Sequence, residues 1–210
     1  MITNAALQRR LDTRTKPQGS LGALETLAVR IGLALDTETP ALRAPQMFVF
    51  AGDHGIATDG VSAFPQAVTA QMLLNYLQGG AAINVLARQH AIALNVVDAG
   101  VASDIGEHPS LLARAVARST RNFRVEPAMT PEQCAQALDT GRALAKDALR
   151  QGSNALLFGV MGIGHTACAA LSTTAFISSS SRLVATSGII TSGTGAAPDF
   201  SATSHAPSKV

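Results

Sequence analysis

The feature that most constrains this chain is an alternation of short apolar runs with stretches of helical period. Met47-Phe48-Val49-Phe50-Ala51 is a continuous apolar run between Pro45 and Gly52, the pattern of a strand covered on both faces. Val68, Met72, Leu73, Tyr76 and Leu77 then mark one face of a helix that Gly79-Gly80 stops, and a further helical stretch, Ala81 to Gln89, leads to a second strand, Ala93 to Asp98. Thr130-Pro131-Glu132-Gln133 opens another helix with a capping box and proline at its first position, ending near Gly152. Asn154 to Gly159 is the next strand. Strand, crossover, strand repeated in this way predicts an α/β fold with a mainly parallel sheet flanked by helices. Its ligand site should lie outside the carboxyl ends of the strands.

Two helices precede the first strand. One runs to Asp12, where Lys16-Pro17-Gln18-Gly19-Ser20 interrupts the chain; the second takes Ser20 as N-cap and carries Leu21, Leu24, Leu27, Ala28, Ile31 and Leu35 on one face. After Leu171 the helical period is lost in a mixture of Ser, Thr, Gly and Ala, with strand character only at Leu183 to Ala185 and Ile189-Ile190. The division expected is therefore residues 1–171 as the α/β domain and 172–210 as a divergent tail.

Composition narrows the function. Sixteen Lys plus Arg against 14 Asp plus Glu leave a formal charge of +2, which argues against a nucleic-acid binder. With 47% hydrophobic and 14% charged residues, the chain can bury a substantial core. Cys134 and Cys168 lack metal or disulfide spacing, the first ten residues lack a signal-peptide pattern, and no 18-residue apolar run is present. The expectation is a cytoplasmic protein with no membrane partner.

Three clusters fall at predicted strand ends. Asp53-His54, with Asp59 and Asp98, could hold a metal or handle protons, although Asp beside Gly also serves as a turn former. Gly159-Val160-Met161-Gly162-Ile163-Gly164-His165-Thr166 is a glycine-rich strand-to-helix turn of the kind that exposes backbone N–H groups to phosphate. His165 stands where a nucleoside-triphosphate loop needs lysine, which argues against that chemistry, and a plain packing turn stays open. Ser62, Phe64, Gln71 and Met72 suit a planar heterocycle, or are simply core and turn residues.

Lys16-Pro17-Gln18-Gly19-Ser20-Leu21-Gly22 with Leu24-Glu25, Phe50-Ala51-Gly52-Asp53-His54-Gly55 through Gly79-Gly80-Ala81-Ala82-Ile83-Asn84, and Met161-Gly162-Ile163-Gly164 occur here in one order and spacing. Arg121-Asn122-Phe123 and Pro127-Ala128-Met129-Thr130 fit the same pattern. Together they resemble the nicotinate-nucleotide:dimethylbenzimidazole phosphoribosyltransferase family, which makes the lower-ligand nucleotide of cobalamin. The resemblance covers residues 1 to about 171. It implies a Rossmann-like sheet with a small helical subdomain, usually a homodimer. The implied reaction transfers phosphoribose from nicotinate mononucleotide to 5,6-dimethylbenzimidazole, giving α-ribazole 5′-phosphate and nicotinate. Nicotinate is held on the ribose as a pyridinium and takes the bonding pair when it leaves, so this chemistry calls for no metal and no cofactor. By the same resemblance Ser62, Phe64, Gln71 and Met72 would bind the base, and Gly159, Gly162, Gly164, His165 and Thr166 the phosphoribosyl group.

The chain departs from that pattern in ways that bear on catalysis. The family's glycine motif has Glu and Asn where this chain has Val160 and His165, and no Glu follows Glu132. Family members also run well over a hundred residues longer, with a catalytic glutamate near the C-terminus. Ser187-Gly188-Ile189-Ile190-Thr191-Ser192 and Ser204-His205-Ala206-Pro207 resemble the flanking family segments only faintly. No residue is assigned as the base here. The alternative to an active transferase is a catalytically impaired binding homologue or a truncated fragment of that enzyme.

Overall fold

A computed structural model describes residues 1–171 together with the backbone of 184–186 and 189–191. Four strands form a parallel sheet in the order β3-β2-β1-β4: β1 is Gln46–Gly52, β2 Ala93–Gly100, β3 Leu111–Ala113 and β4 Leu156–Met161. In register, Val49 lies between Val96 of β2 and Gly159 of β4. The crossover from β1 to β2 carries a 3-10 turn, Gly55–Asp59, and helices α3 (Ala67–Gln78) and α4 (Ala82–Gln89); α5 (Pro131–Arg150) precedes β4. A further helix, α6, opens at His165 and spans 165–171 among the described residues.

The expected double coverage of β1 is present. On one face Phe48 and Val97 pack with Leu144 and Ala148 of α5; on the other Ala51, Val96 and Val101 pack with Leu73 of α3. Burying an aliphatic or aromatic side chain of this size contributes about 1.5–3 kcal/mol, so the two clusters fix the sheet between its helices. β4 is the outermost described strand on its side, and it leaves Leu157, Phe158 and Val160 substantially exposed. The short β3, absent from the sequence reading, pairs Leu111, Leu112 and Ala113 with Val96, Val97 and Asp98. β4 also starts two residues later than expected and runs on through Met161.

Local signals set most element ends. Thr3 caps α1 (Asn4–Asp12), and Gly79, with φ of 79°, closes α3 in the left-handed region that glycine enters at no steric cost. The capping box at α5 is complete: the Thr130 hydroxyl accepts from the Gln133 N–H, and the Gln133 side chain accepts from the Thr130 N–H.

The second helix departs from expectation. α2 spans Ala23–Ala34, and its N-cap is Gly22, not Ser20. The buried positions are Glu25, Val29 and Gly32, while Leu21, Leu24 and Leu27 face outward. The reason is electrostatic. The Glu25 carboxylate accepts from Lys16 Nζ at 2.7 Å and from the Leu21 backbone N–H at 3.1 Å, which turns that side of the helix inward. Gly32 completes the inward face, because Leu7 of α1 occupies the space a methyl there would need.

The expected tail boundary lies at the edge of the described residues. Within 172–210, Val184–Thr186 and Ile189–Thr191 pair as an antiparallel two-stranded ribbon, β5 and β6, close to the two stretches given strand character. The other expectations for 172–210 lie outside the described residues.

Candidate active site

The carboxyl end of β1 is stitched to the loop that follows β3. Asp53 donates its backbone N–H to the Gly100 carbonyl and accepts from Thr120, and Gly55 donates to the Thr120 carbonyl at 3.0 Å. Gly55 is required at that crossing: a methyl there would come within 2.5 Å of the Asn122 backbone nitrogen. Gly162, after β4, packs so closely on Gly52 that a methyl would overlap its carbonyl oxygen. These contacts hold the ends of β1, β2 and β4 together and leave a crevice of about 590 Å³ beyond them. A crevice of that size accommodates a small organic ligand.

Its floor is Gly52, Asp53 and His54 with Ala99 and Gly100; one wall is the 116–130 segment with Arg118, Ser119, Thr120, Arg121 and Met129. The opposite wall combines Val160, Met161, His165, Cys168 and Ala169, and Gln133 and Ala137 of α5 close the far side. Arg118 hydrogen-bonds the Ser103 carbonyl at 2.9 Å and reaches Asp104 at 3.5 Å, while Arg121 pairs with Glu126 at 3.2 Å. The lining therefore holds two guanidinium groups, each paired with a carboxylate from outside it, and one carboxylate of its own, Asp53.

The four acidic and imidazole positions at strand ends divide by role. Asp98 is a turn former, its Oδ1 accepting from the N–H groups of Gly100 and Val101. Asp59 accepts from Asn122 and pairs with Arg124 at 2.9 Å, outside the crevice. Asp53 is buried, and its Oδ2 accepts from the Ala102 N–H at 2.8 Å; its Oδ1 is buried without a hydrogen-bond partner, as is Nδ1 of His54. Burial lowers the pKa of His54, the nearby His165 imidazole lowers it further, and Asp53 opposes both, so His54 is neutral at pH 7. Burial raises the Cys168 thiol and keeps it protonated. Among the described residues, no group of three or more His, Cys, Asp or Glu is placed to hold a metal ion.

Of the nine positions that the family resemblance assigns to substrate binding, His165 alone lines this crevice, where it joins Asp53 and His54 of the strand-end cluster. Its Nδ1 lies 2.6 Å from the Gly162 carbonyl oxygen, and the ring stands at the start of α6. Gly162 forms the packing contact with Gly52, Gly164 takes φ of 87° beside Ile56, and Gly159 sits mid-strand against Met47 and Val49. Thr166 is exposed on the first turn of α6. Ser62 accepts from the Phe64 N–H in an exposed turn, Phe64 is 66% exposed, Gln71 is exposed and Met72 is half-buried on α3. Of α3, which carries Gln71 and Met72, it is Thr69 that reaches the glycine turn, its Oγ1 accepting from the Ile163 N–H. The sequence reading missed Arg118, Ser119 and Thr120. Their one available signal was position just ahead of the Arg121-Asn122-Phe123 segment.

Comparison with known proteins fits this geometry. A family model described as phosphoribosyltransferase matches residues 2–202. The chain is 55% identical over 168 residues to the nicotinate-nucleotide–dimethylbenzimidazole phosphoribosyltransferase of Dechloromonas aromatica, and 56% identical over 167 residues to that of Variovorax paradoxus. Each alignment covers 80% of this chain, and 48% and 47% of the respective relative. The crystal structure of CobT from Thermus thermophilus superposes with a TM-score of 0.78 at 43% identity, covering 83% of this chain and 53% of that one. The chain thus spans about half the length of the relatives it matches.

Proposed function

Because the chain belongs to this phosphoribosyltransferase family, we propose that it transfers phosphoribose from nicotinate mononucleotide to 5,6-dimethylbenzimidazole, yielding α-ribazole 5′-phosphate and nicotinate for cobalamin synthesis. The observation that carries this reading is the crevice at the ends of the parallel strands, with Arg118 and Arg121 along one wall and mostly apolar side chains along the other. A phosphorylated sugar and a flat ring require that pairing of surfaces.

In this reading the glycine turn, Gly159, Gly162, Gly164, His165 and Thr166, holds the phosphoribosyl group. Ser62, Phe64, Gln71 and Met72 receive the base from the side of α3. Residues 1–171 form the family-like domain, 172–210 a divergent tail, and the protein works as a cytoplasmic homodimer. The incoming ring nitrogen attacks C1′ in line, the glycosidic bond to the pyridinium breaks, and nicotinate departs with the electron pair. Positioning alone supplies much of the rate in such a displacement.

A second reading is favoured by one observation: Val160 occupies the motif's carboxylate position. It makes the chain a binding homologue with little or no turnover. Incubating the purified protein with both substrates separates the two. Nicotinate release with formation of α-ribazole 5′-phosphate supports the transferase, whereas binding of dimethylbenzimidazole without product supports the homologue. Absence of both binding and product defeats both.

A further inference from the structure

We propose that His165 is the proton acceptor of the transfer in this chain, its Nε2 taking the proton that the azole nucleophile sheds. The inference rests on the transferase reading above and adds the residue that the reading leaves unassigned.

The crevice lining offers few groups able to take a proton. Asp53 is its single carboxylate among the described residues, and Oδ2 is occupied by the Ala102 N–H while Oδ1 is buried out of a ligand's reach. His54 is buried at Nδ1, and its Nε2 is directed to the Gly162 turn, 3.3 Å from the point a methyl there would occupy. The hydroxyl of Ser119 donates to the Thr120 carbonyl, and Thr130 is engaged in the α5 cap. Arg118 and Arg121 have no acceptor nitrogen, and Cys168 stays protonated.

His165 differs because its tautomer is fixed. A carbonyl oxygen can only accept, so the 2.6 Å contact with Gly162 means that Nδ1 carries the hydrogen. In the neutral ring Nε2 then holds a lone pair, and this atom has no hydrogen-bond partner among the described residues. The Gly162 carbonyl also stabilises the imidazolium once it forms, as an orienting acceptor does behind a catalytic imidazole. The His54 ring lies near the same glycine. The other charged or titratable groups that line the crevice with His165 are Asp53, His54, Arg118 and Arg121, the arginines paired with Asp104 and Glu126, and Cys168 on its own helix.

The step balances without a further reactant. The unprotonated azole nitrogen donates its pair to C1′, the C1′–nitrogen bond of the nicotinate nucleotide breaks, and its electron pair neutralises the pyridinium. The azolium formed gives its N–H proton to His165 Nε2, and the imidazolium returns it to solvent after product leaves.

The test is nicotinate release against pH by the wild-type chain, H165N and H165A, with and without added imidazole, alongside ¹⁵N spectra of the histidine rings. H165N should lose about 10²-fold in kcat, a larger change than the rise in KM for nicotinate mononucleotide that loss of a phosphoribosyl contact brings, and should lack the acid limb of the wild-type kcat profile. Imidazole should restore part of the H165A rate, a result a merely structural role does not produce. In the wild-type spectra the neutral His165 ring should carry hydrogen on Nδ1. Wild-type turnover that H165N retains with the same acid limb overturns this inference and leaves the transferase reading standing. Hydrogen on Nε2 in the neutral ring overturns it even if neither variant folds. A wild-type chain that releases no nicotinate at any pH overturns the inference and the transferase reading together.

Discussion

The hydroxyl of Thr69 accepts a hydrogen bond from the backbone N–H of Ile163 at 3.1 Å, across 94 residues of chain. Thr69 is fully buried in α3, and Ile163 is buried in the turn after β4. This bond ties the crossover helix to the glycine turn that bounds the crevice. Thr69→Val keeps the shape and removes the acceptor, leaving a buried N–H unpaired at a cost of about 1–3 kcal/mol. Thermal melts should show Tm falling by about 2–4 °C per kcal/mol, with Thr69→Ser close to wild type. Equal melting of the valine variant and wild type would show that the bond is absent in solution.

Two glycines give opposite expectations for one substitution. Gly162→Ala forces a methyl into the Gly52 carbonyl, so the variant should lose Tm sharply or fail to accumulate as folded protein. Gly141 lies within α5 with open space where its Cβ would point. Alanine there should stabilise by about 0.5–1 kcal/mol, the helix-propensity difference. Paired denaturation curves check both signs at once.

The contrast between those glycines shows what the sequence makes legible. The strands β1, β2 and β4 and helices α1, α3 and α5 declare themselves through apolar runs, caps and stops, because local propensity and burial agree there. β3 is three residues long with no flanking period, and only its pairing with Val96 to Asp98 defines it. The face of α2 misleads because a carboxylate outranks three leucines once Lys16 and the Leu21 N–H converge on it. The glycine turn is readable as a site, yet Gly162 is a packing contact and His165 the residue on the crevice wall. Arg118, Ser119 and Thr120 reach the crevice through long-range stitching of Asp53 and Gly55 to Thr120, which no local pattern encodes.

The Lys16–Glu25 pair carries its own pH signature. The hydrogen bond from Lys16 and the one from the Leu21 N–H hold the Glu25 carboxyl below its ordinary 4.5. A carboxyl depressed in the folded state binds protons more weakly than in the unfolded chain. Its contribution is therefore complete above 4.5 and is lost as pH falls through the lowered folded value. Glu25→Gln should lower Tm at neutral pH and flatten the acid decline seen in wild type. The same acid decline in both proteins would show that Glu25 does not cause it.

His54 produces a pH effect of the same sign in a separate window. Burial lowers its folded pKa below the ordinary 6.5, with the neighbouring His165 adding to the shift and Asp53 opposing it. Between the lowered folded value and 6.5 the unfolded chain binds more protons than the folded one, so stability rises with pH across that interval and levels off above it. His54→Gln removes the titrating ring from the buried floor and should abolish this slope while leaving the Glu25 decline below 4.5 intact. Melting temperatures measured at half-unit steps from about pH 4 to about pH 8 separate the two contributions. If the slope near neutrality persists in the glutamine variant, the imidazole at the end of β1 is not the group that titrates. The neutral state assigned to it beside His165 then fails as well.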